Sequence, residues 1–96
     1  MDTITRKTID AFWARAKFGT RLTCLANTYN RYAPGKTGTV ARPGKTAIAI
    51  RTDDGHLFWI NPPRNVRDVV ALDGDTITYR IGRDHHTATW QIVTPA

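Results

Sequence analysis

The chain is predicted to be a mainly β domain, a small and strongly bent barrel entered through one helix, on three observations. Residues 8–18 carry apolar side chains at helical spacing. From Thr20 onward, six short stretches rich in Thr, Ile, Val and aromatic residues alternate with turn signals: TRLTCLA, TGTVAR, TAIAIRT, HLFWIN, TITYRI and TATWQIV. Their even spacing within 96 residues leaves room for one core and one domain.

The helix comes first. Ile9, Phe12, Trp13 and Ala16 fall at i, i+3, i+4 and i+7, Thr8 is placed to cap the start, Asp10 suits the first turn and Gly19 suits the stop. Arg15 and Lys17 lie on the opposite face, so the helix is expected to cap an open barrel end rather than lie on a membrane. In the strands, alternation is clearest at Ile48 and Ile50, at Ile77, Tyr79 and Ile81, and at Ala88, Trp90 and Ile92. Pro34-Gly35 and Pro43-Gly44 place Pro and Gly as a type II turn requires. Asp53-Asp54-Gly55 and Asp73-Gly74-Asp75 are hairpin-turn sequences. Pro62-Pro63 ends the fourth strand, and NVRDVVAL reads as a short helical turn before the last hairpin. The expected division is a helix over 1–18, a barrel over 19–72 and a C-terminal hairpin over 73–96.

Charge is unevenly placed. Of a formal net +6, residues 1–51 contribute +8 (ten Lys/Arg against Asp2 and Asp10), and residues 52–96 contribute −2 (four Arg against six Asp). Ten of the fourteen cations are Arg, the side chain best shaped for bidentate phosphate contacts. The single cysteine, Cys24, excludes an internal disulfide. Neither a secretory apolar run nor a membrane-length segment occurs, so a cytoplasmic location is expected.

The tripeptide Gly-Lys-Thr occurs twice in PGKTGTVARPGKT, residues 34–46. A nucleotide-binding phosphate loop needs a Gly five residues before the Gly of Gly-Lys-Thr, then a helix after it. Asn30 and Thr39 occupy the two Gly positions, and the strand-like TAIAIRT follows the second copy. Nucleotide hydrolysis is therefore rejected, and both copies are read as turns. The positions Gly19, Arg21, Leu22, Tyr29, Pro34, Gly35, Gly38 and Val40 carry the layout Gly-x-Arg-Leu … Tyr … Pro-Gly-x-x-Gly-x-Val. Over residues 19–61, under half of the chain, this resembles small SH3-like barrels of KOW type, most nearly the short phage-borne SH3-like domains of unknown function. The resemblance implies an SH3-like barrel that binds RNA, DNA or protein through its loops and one open face, without catalysis of its own.

A nucleic-acid site is accordingly expected where cations and aromatics crowd together. Tyr29, Arg31, Tyr32, Lys36, Arg42, Lys45 and Arg51 fill the long loop and the two strands after it. With Ile48, Ile50, Phe58 and Ile60 inward, Leu57 and Trp59 point outward. Arg and Lys would neutralise phosphate while Tyr29, Tyr32 and Trp59 stack on bases. The competing reading has the tyrosines pinning the loop, Trp59 packed under the helix and the cations merely solvated. The rival function is a protein-interaction adaptor that uses the outward aromatics or an exposed strand edge. Cys24 with His56, His85 or His86 fits a core thiol better than a nucleophile. Adjacent His85 and His86 face opposite ways on a strand and spell no metal site. With no Glu and no second acid at a spacing that suggests acid–base work, the chain is not expected to be an enzyme or to hold a cofactor.

Overall fold

A computed structural model describes residues 3–44, 46–82 and 85–94. It contains one helix, α1 (Arg6–Ala14), and seven strands: β1 (Arg21–Asn27), β2 (Thr37–Arg42), β3 (Ile48–Thr52), β4 (Leu57–Ile60), β5 (Val69–Asp73), β6 (Thr76–Ile81) and β7 (His86–Val93). All strand pairs are antiparallel, and the order is β4-β3-β2-β1-β7-β6-β5. The protein is mainly β.

Several expectations require correction. The sheet is not closed into a barrel, because β4 and β5 remain its two edges. Its curvature comes from register shifts at Cys24/Ala26, Val40/Arg42 and Val69/Ala71, which bend the strands inward without joining the edges. The C-terminal hairpin β6–β7 does extend the β1–β4 sheet, joining it through β7, which pairs with β1, while β5 lies beyond β6 at the far edge. NVRDVVAL does supply a short helical turn, the 3-10 turn Val66–Asp68, but then runs into a strand beyond the six expected, β5.

Helix α1 starts three residues earlier than its apolar pattern indicated. Thr5 is the N-cap and accepts from the Thr8 N–H at 3.1 Å, while the Thr8 hydroxyl accepts from the Thr5 N–H at 2.9 Å. This reciprocal pair satisfies two otherwise orphaned donors. Ile9, Phe12, Trp13 and Ala16 are buried against the inner face of the sheet. There they meet Leu22 and Cys24 of β1, Val40 of β2, Ile48 and Ile50 of β3, Ile77 and Tyr79 of β6, and Trp90 of β7. Trp13 meets Phe12 and Tyr79 edge-on at 5.1 and 5.9 Å between ring centroids. The first Gly-Lys-Thr turns into β2 through Gly35 (φ +84°), and the second precedes β3, so neither opens a helix. Among the described residues, no helix is long and apolar enough to cross a membrane.

Candidate functional site

The outer face of β2–β4 is built by register. Side chains alternate across a strand, so burial of Ile48, Ile50 and Ile60 turns Ala49, Arg51, Leu57 and Trp59 outward. Pairing then sets two neighbouring rows, Arg42–Ala49–Trp59 and Thr39–Arg51–Leu57. Ala49 is small and lies flanked by two long side chains, and it is buried although it faces out. Arg42 and Arg51 are exposed, and neither has an ion-pair partner among the described residues. Arg21 lengthens the second row through Thr39, but its guanidinium is committed to Asp53 at 2.7 Å. That hydrogen bond holds the Asp53 carboxyl below its usual range.

The long connection between β1 and β2 shapes the other half of the site. The Asn27 side-chain oxygen accepts from the Tyr29 and Asn30 N–H groups at 2.9 and 2.8 Å, and Asn30 Oδ1 accepts from the Tyr32 N–H at 3.0 Å. These are Asx turns, in which a side chain stands in for a backbone carbonyl. Buried Ala33 and the Gly35 N–H to the Cys24 carbonyl (2.7 Å) anchor the far end. The loop is thus pinned by its asparagines and backbone. Tyr29 and Tyr32 remain 69% and 81% exposed, and the outward Trp59 is 54% exposed. Tyr29 touches His86 edge-on at 5.6 Å, and the His86 Nδ1 lies 3.2 Å from the Thr28 hydroxyl.

Loop and edge strand enclose two adjoining hollows. The first, about 150 Å³, has Tyr29 and Trp59 among its walls and buried Tyr79 and Trp90 at its base. The second, about 280 Å³, is lined by Tyr32, Lys36, His56 and Leu57. Asn30 and Phe58 belong to both, so the hollows form one trough beside β4. No known protein family, curated protein or solved structure matches this chain.

The expected site residues therefore fall into separate groups. Tyr29, Tyr32, Lys36 and Trp59 border the trough, Arg42 and Arg51 lie on the outer face that shares Trp59, and Arg31 is exposed in the loop. Lys36 is not a free cation, because its ammonium is paired with Asp54. Hydrogen bonds from Lys36 and Thr52 hold the Asp54 carboxyl down to about 2. Lys45 lies outside the described residues. Sequence reasoning missed Asn27 and Asn30, although the Asx-turn spacing Asn-x-x-Asn was present as a signal.

Other candidates are chemically quiet. Cys24 is fully buried, its Sγ donates to the Ala26 carbonyl at 3.4 Å, and burial pushes its thiol up to about 11. A larger cleft of about 700 Å³ separates α1 from Pro43, Pro62 and Pro63. Of its two cations, Arg6 is spent on Asp10 and on the Arg64 carbonyl, which leaves Lys17 as the one further charged group among mostly apolar walls. Among the described residues, no three His, Cys, Asp or Glu side chains cluster as metal ligands would.

Proposed function

We propose that the protein is a non-enzymatic module that binds single-stranded nucleic acid across the outer face of β2–β4 and the adjoining trough. The observation that carries this reading is the register pair Arg42–Ala49–Trp59 and Thr39–Arg51–Leu57. It sets two guanidinium groups, neither ion-paired among the described residues, beside an exposed indole. Guanidinium groups neutralise phosphate, and exposed indole and phenol rings stack on unpaired bases of any sequence. Arg31 extends the positive surface along the loop. The likeness of residues 19–61 to SH3-like domains supports the same reading, since this stretch spans β1–β4.

The test is fluorescence anisotropy with labelled single- and double-stranded DNA and RNA at about 50 and 200 mM salt, a range over which phosphate-driven binding falls steeply. Single strands should bind best. Arg42→Ala and Arg51→Ala should each lower the logarithmic salt slope by about 1. Binding that ignores salt would remove the proposal.

One observation favours a second reading. The Thr52 N–H bonds to the His56 carbonyl at 2.8 Å, so by antiparallel alternation Phe58 and Ile60 bond to β3. The N–H and C=O groups of Leu57 and Trp59 then face the free edge, beside their own exposed side chains. A peptide adding as a strand there would make this an adaptor, and its binding would be nearly independent of salt.

A further inference from the structure

Three amides line the hollow between Tyr29 and Trp59, Asn27, Asn30 and Asn61, and the orientation of the first two is already decided. Backbone N–H groups only donate, so the atoms of Asn27 and Asn30 that accept from Tyr29, Asn30 and Tyr32 are carbonyl oxygens rather than amino groups. In a planar amide the amino group points away from the oxygen. Each NH2 is thus turned from its own turn, and neither has a hydrogen-bond partner among the described residues. Both side chains are half-buried and line the hollow. Aromatic walls with fixed amide donors suit a flat ring that carries carbonyl acceptors.

We propose that this hollow takes one unstacked pyrimidine bearing two carbonyls, uracil or thymine, against the rings of Tyr29 and Trp59. The Asn27 and Asn30 N–H groups donate to its oxygens. Cytosine and adenine each present an exocyclic amino donor where these bases present a carbonyl, so donor would meet donor. A purine also asks more of a space of about 150 Å³ than a single ring does. This inference rests on the nucleic-acid reading above and adds base preference to it. Uracil and thymine share the recognised edge, so RNA and DNA are distinguished only by experiment, through the 2′-hydroxyl and the backbone.

The experiment measures anisotropy of labelled oligo(U), oligo(dT), oligo(dC) and oligo(dA), each about ten nucleotides long, against the whole protein at one low salt concentration. Oligo(U) and oligo(dT) are expected to bind roughly tenfold more tightly than the other two, the size of one good base-edge contact. The ratio between them identifies the natural source. Asn27→Asp and Asn30→Asp keep the turn-forming oxygen and remove the donors. The added negative charge weakens all four oligomers, but the ratio of oligo(dT) to oligo(dC) should fall to about 1, whereas damage to the loop alone would leave it unchanged. Equal, salt-sensitive affinity for all four overturns the base preference and leaves the general reading standing. An undiminished ratio in both variants also overturns it. Absence of any binding overturns both.

Discussion

Gly38 is a strand position where a single methyl group should do harm out of proportion to its size. It pairs with Leu22 on one side and Thr52 on the other, in the inner row of the bent sheet. A Cβ built there would lie 2.8 Å from the Arg51 carbonyl oxygen and 3.1 Å from the Thr52 Cα. Both are backbone atoms, so no side chain can rotate away and the β2–β3 pair itself must separate. Overpacking of this kind costs roughly 1–3 kcal/mol. Loss of glycine's freedom in the unfolded chain offsets about 0.4–1 kcal/mol of that. Gly38→Ala should therefore destabilise by about 0.6–2 kcal/mol, a fall in melting temperature of roughly 2–16 °C for a domain of this size. Urea denaturation followed by tryptophan fluorescence, beside a thermal melt, measures it directly. A variant as stable as the parent within about 0.5 kcal/mol, the spread of ordinary surface changes, would show that the β2–β3 approach is looser than described.

Burial keeps the Cys24 thiol protonated until about 11 against an ordinary 9.0, so native protein should react slowly with thiol reagents near neutral pH and rapidly once unfolded. Because the unfolded thiol ionises first, its contribution is intact below 9.0 and is lost as pH rises toward about 11. Denaturation midpoints at about pH 8 and pH 10 should fall more in the parent than in Cys24→Ala. Asp54 runs the other way. Its carboxyl is held at about 2 against 3.8, so its contribution is present above 3.8 and is lost as pH falls through about 2. Carbon NMR of the Asp54 carboxyl should show that low midpoint, and Lys36→Met should move it upward. Finally, burial pushes the ionisation of the Tyr79 phenol well above its ordinary 10.0. Tyr79 should therefore stay un-ionised in the native protein at a pH where Tyr29 and Tyr32 of the exposed loop are open to solvent, read by ultraviolet pH titration before and after unfolding.

Much of the chain's layout was legible because it is written locally. Alternation in TAIAIRT and HLFWIN correctly placed Ile48, Ile50 and Ile60 inside and Leu57 and Trp59 outside. Helix α1 was found from its apolar spacing, but its start was misplaced because Thr5 and Thr8 are equally good caps by residue type. Strand β5 escaped notice because the Val69/Ala71 bulge breaks its alternation, leaving Val-Val-Ala-Leu with no clear period. Closure of the sheet was misjudged for a related reason: bulges set the curvature, and composition does not record how far an edge travels. In the site, the positions of Tyr29, Tyr32 and Trp59 followed from loop and strand patterns. The commitment of Lys36 to Asp54 and of Arg21 to Asp53 did not, since those acids come close only once the register is set.

The pairing of β7 with β1 joins two unfinished pieces of the molecule. The β1–β4 meander and the β5–β7 meander are each assembled from neighbours in sequence, yet each leaves one strand, β1 or β7, waiting for the other. Arg21 meets Val93 and Asn27 meets Ala88, so this seam closes only after nearly the whole stretch between them has been ordered. A chain cleaved between β4 and β5 would yield two fragments with complementary open edges and a shared apolar face. The protein can therefore be regarded as a pair of half-sheets that recognise each other, joined in one chain by the passage through Pro62 and Pro63.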